Sequence, residues 1–596
     1  VRQDGVETEA EIPAVPFRLA ARLGIKPKLG SRQLYTGLNI LFGCMAMVFF
    51  ALAIIGTVRN YSPVPFWDMW DDYVLFYLKI HAGQWNALWA LHAEHRIILA
   101  RLIFWIDFAW FHGNGIFSLF MIYLLVAAVV VIFRQIWKAR SQGQDLYILF
   151  FVTAWIFSWS QRENLIWAFQ SQFILAQLLP LAALYLQHLS YSKQDKTNRY
   201  FCAAMFCGVL AVGSMANGML ALPAMAVYSF IIERRSVRTA LLLLLSAGEV
   251  YFYFQHFSGS SFPGAAPTLT GEIVAHPGEF VQFVLMYLGN PVIVPLRISG
   301  FERPAIRLGE FIAILFIAIS TWSFYTHVRQ TRRSTLSIAL LLFMFYIIAT
   351  AAITAAGRLP LGLDEALSSR YVTPVIYGWA AALLLFWPAV AKSVVSRNIF
   401  SLCLAAFLCF ILFPRQLQAM ASERGVLFQR EFAALALELK INDVEQLKIL
   451  YPNTDTLRTI ASEARSQHLS IFGIAPIANA HLLLGQTLNT QSLVACAGHL
   501  DDVAPITGAA DYFRVGGWLL NARPVNTPKM IYLVDSTNKI VGLGLIGAPR
   551  GEAVGVAGRQ AKYSGFNAYL FTAAIGKPVF IASPINGCEV PLASVG

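Results

Sequence analysis

The sequence predicts an α-helical, polytopic membrane protein that ends in a β-rich domain outside the bilayer. Three observations carry this. The chain of 596 residues is 57% hydrophobic and only 13% charged, with mean hydropathy +0.58, whereas a soluble protein carries about 25% charged residues. Apolar runs of roughly 15 to 20 residues, long enough to span a bilayer, recur from Leu38 onward. After Pro414 the composition turns polar, first with helical periodicity and then with short β-like runs.

Residues 1–36 form a basic N-terminal segment. Phe17, Leu19, Ala20 and Leu23 can share one helical face, with Arg18, Arg22, Lys26 and Lys28 around them, which suits an interfacial helix or an ordinary basic flank. Either places the N-terminus in the cytoplasm. No signal peptide is expected, because the first apolar run is long enough to stay in the membrane. Residues 37–414 read as the transmembrane domain, with about eleven spans: 38–58, 115–134, 145–160, 165–187, 199–214, 218–232, 238–256, 309–327, 335–356, 371–391 and 398–414. Stretch 97–112 is apolar but holds Asp107 and is read as a juxtamembrane helix. Basic clusters such as Arg134/Lys138/Arg140, Lys193/Lys196/Arg199 and Arg329/Arg332/Arg333 fall in alternate loops. They predict those loops inside, and 59–114, 257–308, 357–370 and the C-terminal part outside. The net charge of +12 is accounted for by these loops and not by nucleic-acid binding.

Residues 415–480 are expected to be a helical connector, and 481–596 a β-sandwich built from runs such as YFRVGGWLL, KMIYLVDS and KIVGLGLIG. Of seven cysteines, Cys496 and Cys588 lie in this part. They are expected to pair as a disulfide in an oxidising compartment. The others sit in apolar segments as small buried hydrophobes. No Cys/His metal spacing, P-loop, GxGxxG unit or GxSxG is present, so ATP-driven transport and cytosolic nucleotide chemistry are unsupported.

The polar clusters that remain all fall on the predicted outer side. The densest is the first loop, WDMWDDY (67–73) with HAEHR (92–96). Asp68, Asp71 and Asp72 stand at i, i+3 and i+4 and share a helical face. Charge next to hydrocarbon is costly, so such a cluster points to function. One of these carboxylates can take a proton from an attacking sugar hydroxyl. Glu94, a further catalytic candidate, can position it, and Glu94, His92, His95 and Arg96 can bind the acceptor or contact a phosphate. The second cluster is QREN (161–164), with Glu163 and Asn164 opening a span. The third is GRLPLGLDEALSSRY (357–371), where Arg358, Arg370 and Tyr371, with Arg297 from another outer group, suit a phosphate. Pairing of these arginines with Asp364, Glu365 or Glu310 is the alternative.

Taken together, Asp71-Asp72-Tyr73 in a large first outer loop, EN-LIW-FQ-QF (163–173) and GR…SRY (357–371) resemble segments of the GT-C class of integral-membrane glycosyltransferases, over roughly 38–414. That resemblance implies a polyprenyl-phosphate sugar donor and a glycan or lipid-linked acceptor. It implies an inverting single displacement with Asp68 or Asp71 as base, and Arg370, with Arg358 or Arg297, on the leaving phosphate. A divalent metal (Mg or Mn) held by Asp68, Asp72 and Glu94 is possible within the class. The resemblance also implies a bacterial inner membrane, with the C-terminal domain periplasmic. A polysaccharide polymerase or ligase, and a lipid or polysaccharide transporter, are the competing readings.

Overall fold

The computed structural model describes residues 31–596 apart from 142–144, 194–196, 235, 256, 258–268, 298–301, 332, 492, 521–528, 584–587 and 593–596. The amphipathic segment expected before residue 31 lies outside the described residues. The chain divides into two compact units. One holds the described residues up to Arg59, Trp89–Ala100 and Leu119–Ala421. The other holds Asn60–Leu88, Arg101–Ser118 and Ser422–Gly596.

The first unit is helical, and its long apolar helices suit a multi-pass membrane protein. Among the described residues nine helices are long and apolar enough to span. They are Gln33–Asn60, Ile116–Arg140, Ser171–Ser192, Ala216–Glu233, Pro277–Arg297, Glu302–Arg329, Thr335–Leu361, Ser369–Ala391 and Val394–Glu438, the last of which carries its apolar part at the start. Arg199–Ala211 is a shorter apolar helix.

The expected eleven-span map differs at four places, one of them 199–214, where the helix Arg199–Ala211 has 13 residues. The span expected at 145–160 is a helix of 11 residues, Leu146–Ile156. The Ser158 side chain accepts the Ser160 N–H and starts a new turn at Trp159–Gln161, so the next long helix begins at Ser171. At 238–256 the helix covers Val237–Tyr253, 17 residues. Most consequentially, the expected outer loop 257–308 contains the apolar helix Pro277–Arg297. Gly289, Asn290, Pro291 and Pro295 dilute its hydropathy and hide it from a window count. Those same small residues let it pack. A Cβ on Gly289 would lie 2.5 Å from the carbonyl carbon of Gly309 on the helix Glu302–Arg329, a backbone approach that only glycine permits. The added helix removes the simple alternation of loops.

Polar side chains join the helices where hydrocarbon offers no other partner. Gln416 donates to the Phe49 carbonyl at 2.9 Å and accepts the Trp159 N–H at 2.7 Å. Gln187 donates to the Met225 carbonyl and to Ser229.

The second unit joins part of the first polar loop to the C-terminal domain. A π-helical turn, Trp70–Leu75, runs into the helix Phe76–His81. The helices Arg424–Glu438, Val444–Leu450 and Thr454–Ser466 occupy the expected connector. Two of them start on side-chain caps, Asp443 to the Gln446 N–H and Asn453 to the Thr456 N–H, each worth about 1 kcal/mol.

The strands are β1 (Val494–Ala495), β2 (Ala497–Pro505), β3 (Tyr512–Leu520), β4 (Lys529–Asp535), β5 (Ile540–Ala548), β6 (Gly565–Phe571), β7 (Val579–Ser583) and β8 (Cys588–Leu592). They form one sheet, ordered β1-β8-β7-β4-β5-β6-β3-β2, and not the two sheets of the expected sandwich. The two ends of this order are consecutive in sequence. β1 pairs with β8 in parallel and β2 pairs with β3 antiparallel. A single extended stretch, 494–505, therefore lies at both ends of the order, and the sheet curls into a half-barrel. Its concave side is filled by Val515, Leu519, Ile531, Leu533, Phe566 and Ile581. Arg514 on β3 grips the buried Asp443 with two hydrogen bonds, at 3.0 and 2.8 Å, and Tyr569 on β6 donates to the same carboxylate. Cys496 is disulfide-bonded. The five cysteines of the apolar segments are free. The Cys588 backbone pairs with Val494, and its side chain lies outside the described residues.

Candidate functional site

The helical unit gathers its charged residues around a tight turn. His92 and His95 exchange both backbone hydrogen bonds at 2.8 Å, which is possible because Ala93 takes a left-handed φ of 47°. That conformation costs a non-glycine residue about 1 kcal/mol, so the surroundings must hold the turn. Arg96 does so. Its guanidinium donates to the carbonyls of Tyr253 (3.0 and 2.9 Å), Gln255 (2.6 Å) and Trp89 (2.5 Å) and lies over the Trp89 ring at 4.7 Å. Tyr253 in turn donates its hydroxyl to the Glu94 carbonyl at 2.7 Å. Arg96, expected to contact substrate or phosphate, is thus a clamp on the turn. Its donors are spent on backbone carbonyls, which a sequence does not display.

Glu94 stands at the tip of this turn. Its Oε1 accepts from Arg358 Nη2 at 2.6 Å and faces His95 Nε2 at 3.5 Å. Its Oε2 is buried without a hydrogen-bond partner. Burial alone raises this carboxyl, but His95 and Arg358, with smaller help from its own backbone N–H and His92, outweigh burial and hold it below its ordinary value. The His95 ring is pushed down to about 4 by burial, against the pull of Glu94 and with the help of Arg358, His92 and Arg370. It is therefore neutral at pH 7. Its Nδ1 receives the Ala216 backbone N–H at 3.3 Å, so the ring proton is assigned to Nε2, toward Glu94.

A second ion cluster shares these fields. Arg370 Nη2 donates to Glu365 at 2.6 Å, and Nη1 lies 3.7 Å from Glu163. Its Nε is buried and unpartnered. Ser369 donates to Glu163 at 3.2 Å, and Asn164 donates to the Arg370 carbonyl at 2.8 Å. Tyr371 packs against Tyr287 with ring centroids 5.3 Å apart. Glu94, Glu163, Glu365, Arg358, Arg370 and His95 thus bring three carboxylates against two guanidinium groups and a neutral imidazole. His92 borders them, its ring edge-on to Phe169 at 5.2 Å. Arg297 pairs with Glu302 and, at 3.3 Å, with Asp364. The carboxylate pairing weighed as the alternative for the outer arginines holds for Arg297, Arg307 (Glu310, 3.1 Å) and Arg370.

The aspartates belong to the other unit. Asp72 pairs with the buried Arg101, which also donates to the Leu88 carbonyl and lies over the Phe76 ring. Asp71 accepts the Tyr451 hydroxyl. Burial, then the charges of Asp71, Asp68 and Asp72, hold that phenol well above its ordinary value. The backbone carbonyl of Asp68 accepts the Asp72 N–H at 3.0 Å. Asp107, on the helix Ile98–Phe111, caps the following helix through the Ser118 N–H and hydroxyl and accepts from Tyr73. Burial raises its carboxyl. Among the described residues no group of three or more His, Cys, Asp or Glu side chains is arranged to hold a metal ion.

Sequence reasoning missed Asn290, which donates to the Ala366 carbonyl at 3.4 Å and keeps a buried, unpartnered Oδ1. It sits in the hidden helix, and only its polarity inside LGNPV could have flagged it. Comparison of the chain with protein-family models, curated proteins and solved structures yields no match.

Proposed function

We propose that the chain is a membrane-embedded glycosyltransferase that moves a sugar from a polyprenyl-phosphate donor to a glycan or lipid-linked acceptor. Its chemistry is centred on Glu94. The observation that carries this reading is the Glu94 carboxylate itself, fixed through Oε1 by Arg358 with Oε2 buried and unengaged. In one displacement the acceptor oxygen bonds to the anomeric carbon as the bond from that carbon to the phosphate oxygen breaks. The hydroxyl becomes strongly acidic only as its oxygen bonds to carbon, so a carboxylate of lowered basicity still takes the proton at that stage. The leaving polyprenyl phosphate gains negative charge, and Arg370 stabilises it by giving up one of its carboxylate partners. Asp68 or Asp71 is the alternative base for the same chemistry. A bacterial inner membrane with a periplasmic sheet domain fits this substrate class.

The test is sugar transfer by the purified full chain in detergent, from a panel of radiolabelled polyprenyl-phosphate sugars to glycan acceptors. Transfer that depends on Glu94 supports the reading, and no transfer from any donor overturns it.

One observation favours a second reading, a transporter of lipid-linked saccharide. Gln170 and Gln177 are two turns apart at the start of a spanning helix, both buried with unpartnered Oε1 atoms. Polar positions inside a span can line a path. Movement of a labelled polyprenyl-phosphate sugar across proteoliposomes without transfer would select it.

A further inference from the structure

At the far end of the helical unit from Glu94, three cations gather around two tyrosines. The helix Thr335–Arg358 sets the separation. Its last residue, Arg358, meets Glu94, and its first, Thr335, meets His188 Nδ1 at 2.8 Å. Its 24 residues span about 36 Å at a rise of about 1.5 Å each. Lys193 closes the helix that carries His188, and Arg199 opens the next one, Arg199–Ala211. Both charges lie over the Tyr200 ring, Lys193 at 5.4 Å and Arg199 at 4.9 Å. Arg238 lies over the Tyr191 ring at 5.1 Å and donates to Asn198, the residue before Arg199, at 2.6 Å. Among the described residues the one carboxylate paired with any of the three is Glu233, at 3.6 Å from Arg238. That leaves an excess of positive charge, and like charges held this close repel each other until an anion comes between them.

The helix that Arg199 opens gives the shape of that anion. Its exposed residues are Arg199, Cys202, Phe206 and Val209. They recur at i, i+3, i+7 and i+10 and so form one stripe. The opposite face is packed, since a Cβ on Gly208 would lie 2.6 Å from the Leu222 side chain. The stripe begins with a guanidinium and continues with apolar side chains alone, through Phe206 and Val209, which are 64% and 38% exposed. A free anion matches only its start, and plain hydrocarbon only the remainder. A phospholipid matches both.

We propose that Lys193, Arg199 and Arg238 bind the phosphate of an anionic phospholipid at the membrane face opposite the Glu94 site, with one acyl chain along Cys202, Phe206 and Val209. An anionic head group is preferred to a zwitterionic one, because choline would bring a fourth cation to the cluster. The site is independent of the sugar-transfer reading.

The experiment titrates the purified full chain in detergent with short-chain phosphatidylglycerol, with phosphatidylcholine of the same acyl length and with inorganic phosphate. Binding is read from the rise in melting temperature. Wild type is expected to bind phosphatidylglycerol about tenfold or more tightly than phosphatidylcholine, and to be unmoved by inorganic phosphate at the same concentration. Lys193→Gln/Arg199→Gln, at two exposed positions, is expected to lower the preference to within about twofold. Arg134→Gln/Lys138→Gln removes the same charge from exposed positions near the end of the helix Ile116–Arg140 and is expected to leave the preference intact. Equal binding of the two lipids by wild type overturns the proposal. So does an equal rise with inorganic phosphate, which makes the cluster a site for free anions. Equal loss in both double variants also overturns it, since basic charge then acts in bulk and not as a site. If Lys193→Gln/Arg199→Gln does not fold, Arg199→Gln alone decides by the same ratio.

Discussion

Removing the Arg358 guanidinium tests the electrostatic frame of the site. Arg358 Nη2 lies 2.6 Å from Glu94 Oε1. At an effective dielectric of about 20 the gross attraction is roughly 6 kcal/mol, much of it offset by the desolvation of both groups. Breaking a fully buried pair costs about 3–5 kcal/mol, and exposed pairs contribute about 0–1 kcal/mol. The two side chains are 14% and 23% exposed, so Arg358→Ala is expected to cost about 2–3 kcal/mol. The pH dependence follows from the sign of the shift. In the wild type the Glu94 carboxyl is held below its unfolded value, so its contribution is present above that value and is lost as pH falls through the folded one. Without Arg358, one of the main groups that oppose burial is lost and the carboxyl rises. The assay is reversible unfolding in detergent, run as a double-mutant cycle with Glu94→Gln. The cycle is expected to show a coupling of about 1.5–2 kcal/mol. Arg358→Ala as stable as wild type, with no coupling to Glu94, would refute the argument.

Arg96→Ala, which strips the clamp from the Ala93 turn, is expected to cost about 3–5 kcal/mol in the same unfolding assay, with Lys failing to rescue it because one ammonium cannot span the carbonyls of Trp89, Tyr253 and Gln255. His95 is neutral in the fold because its ring is pushed from 6.5 to about 4. Its contribution is complete above pH 6.5 and lost as pH falls toward 4, a span worth roughly 3 kcal/mol. His95→Gln should flatten that part of the stability profile measured by thermal melting. Gly289→Val should force apart the helices Pro277–Arg297 and Glu302–Arg329, at a cost of about 3 kcal/mol, visible as a lowered melting temperature in detergent.

Much of the helical frame is legible in the sequence because hydrocarbon demands long apolar runs, and those at 38–58, 335–356 and 371–391 carry no charged residue. The helix Pro277–Arg297 is not legible, since its two prolines, Gly289 and Asn290 read as loop signals while serving close packing. The β-strands follow from alternating apolar residues. Their closure into one curled sheet depends on the pairing of 494–505 at both ends of the order, a long-range fact that no local pattern encodes. In the site, Glu94, His95, Arg358 and Arg370 are found because charge is rare in this chain and costly beside a membrane. Their division of labour is not. Arg96 spends its donors on carbonyls more than 150 residues away, and Asp71 meets a tyrosine 380 residues away. Composition shows that these groups are charged, and only the fold shows what they hold.

The central claim is that the Glu94 carboxylate performs the transfer. The most direct measurement is the single-turnover rate of sugar transfer from a saturating polyprenyl-phosphate sugar donor. It compares wild type, Glu94→Gln and Asp68→Asn, each first shown to melt as the wild type does. A loss of about a hundredfold or more in Glu94→Gln, with donor affinity within about threefold, is predicted. A Glu94→Gln protein that keeps the wild-type rate while Asp68→Asn loses it would contradict the account and move the base to the aspartate.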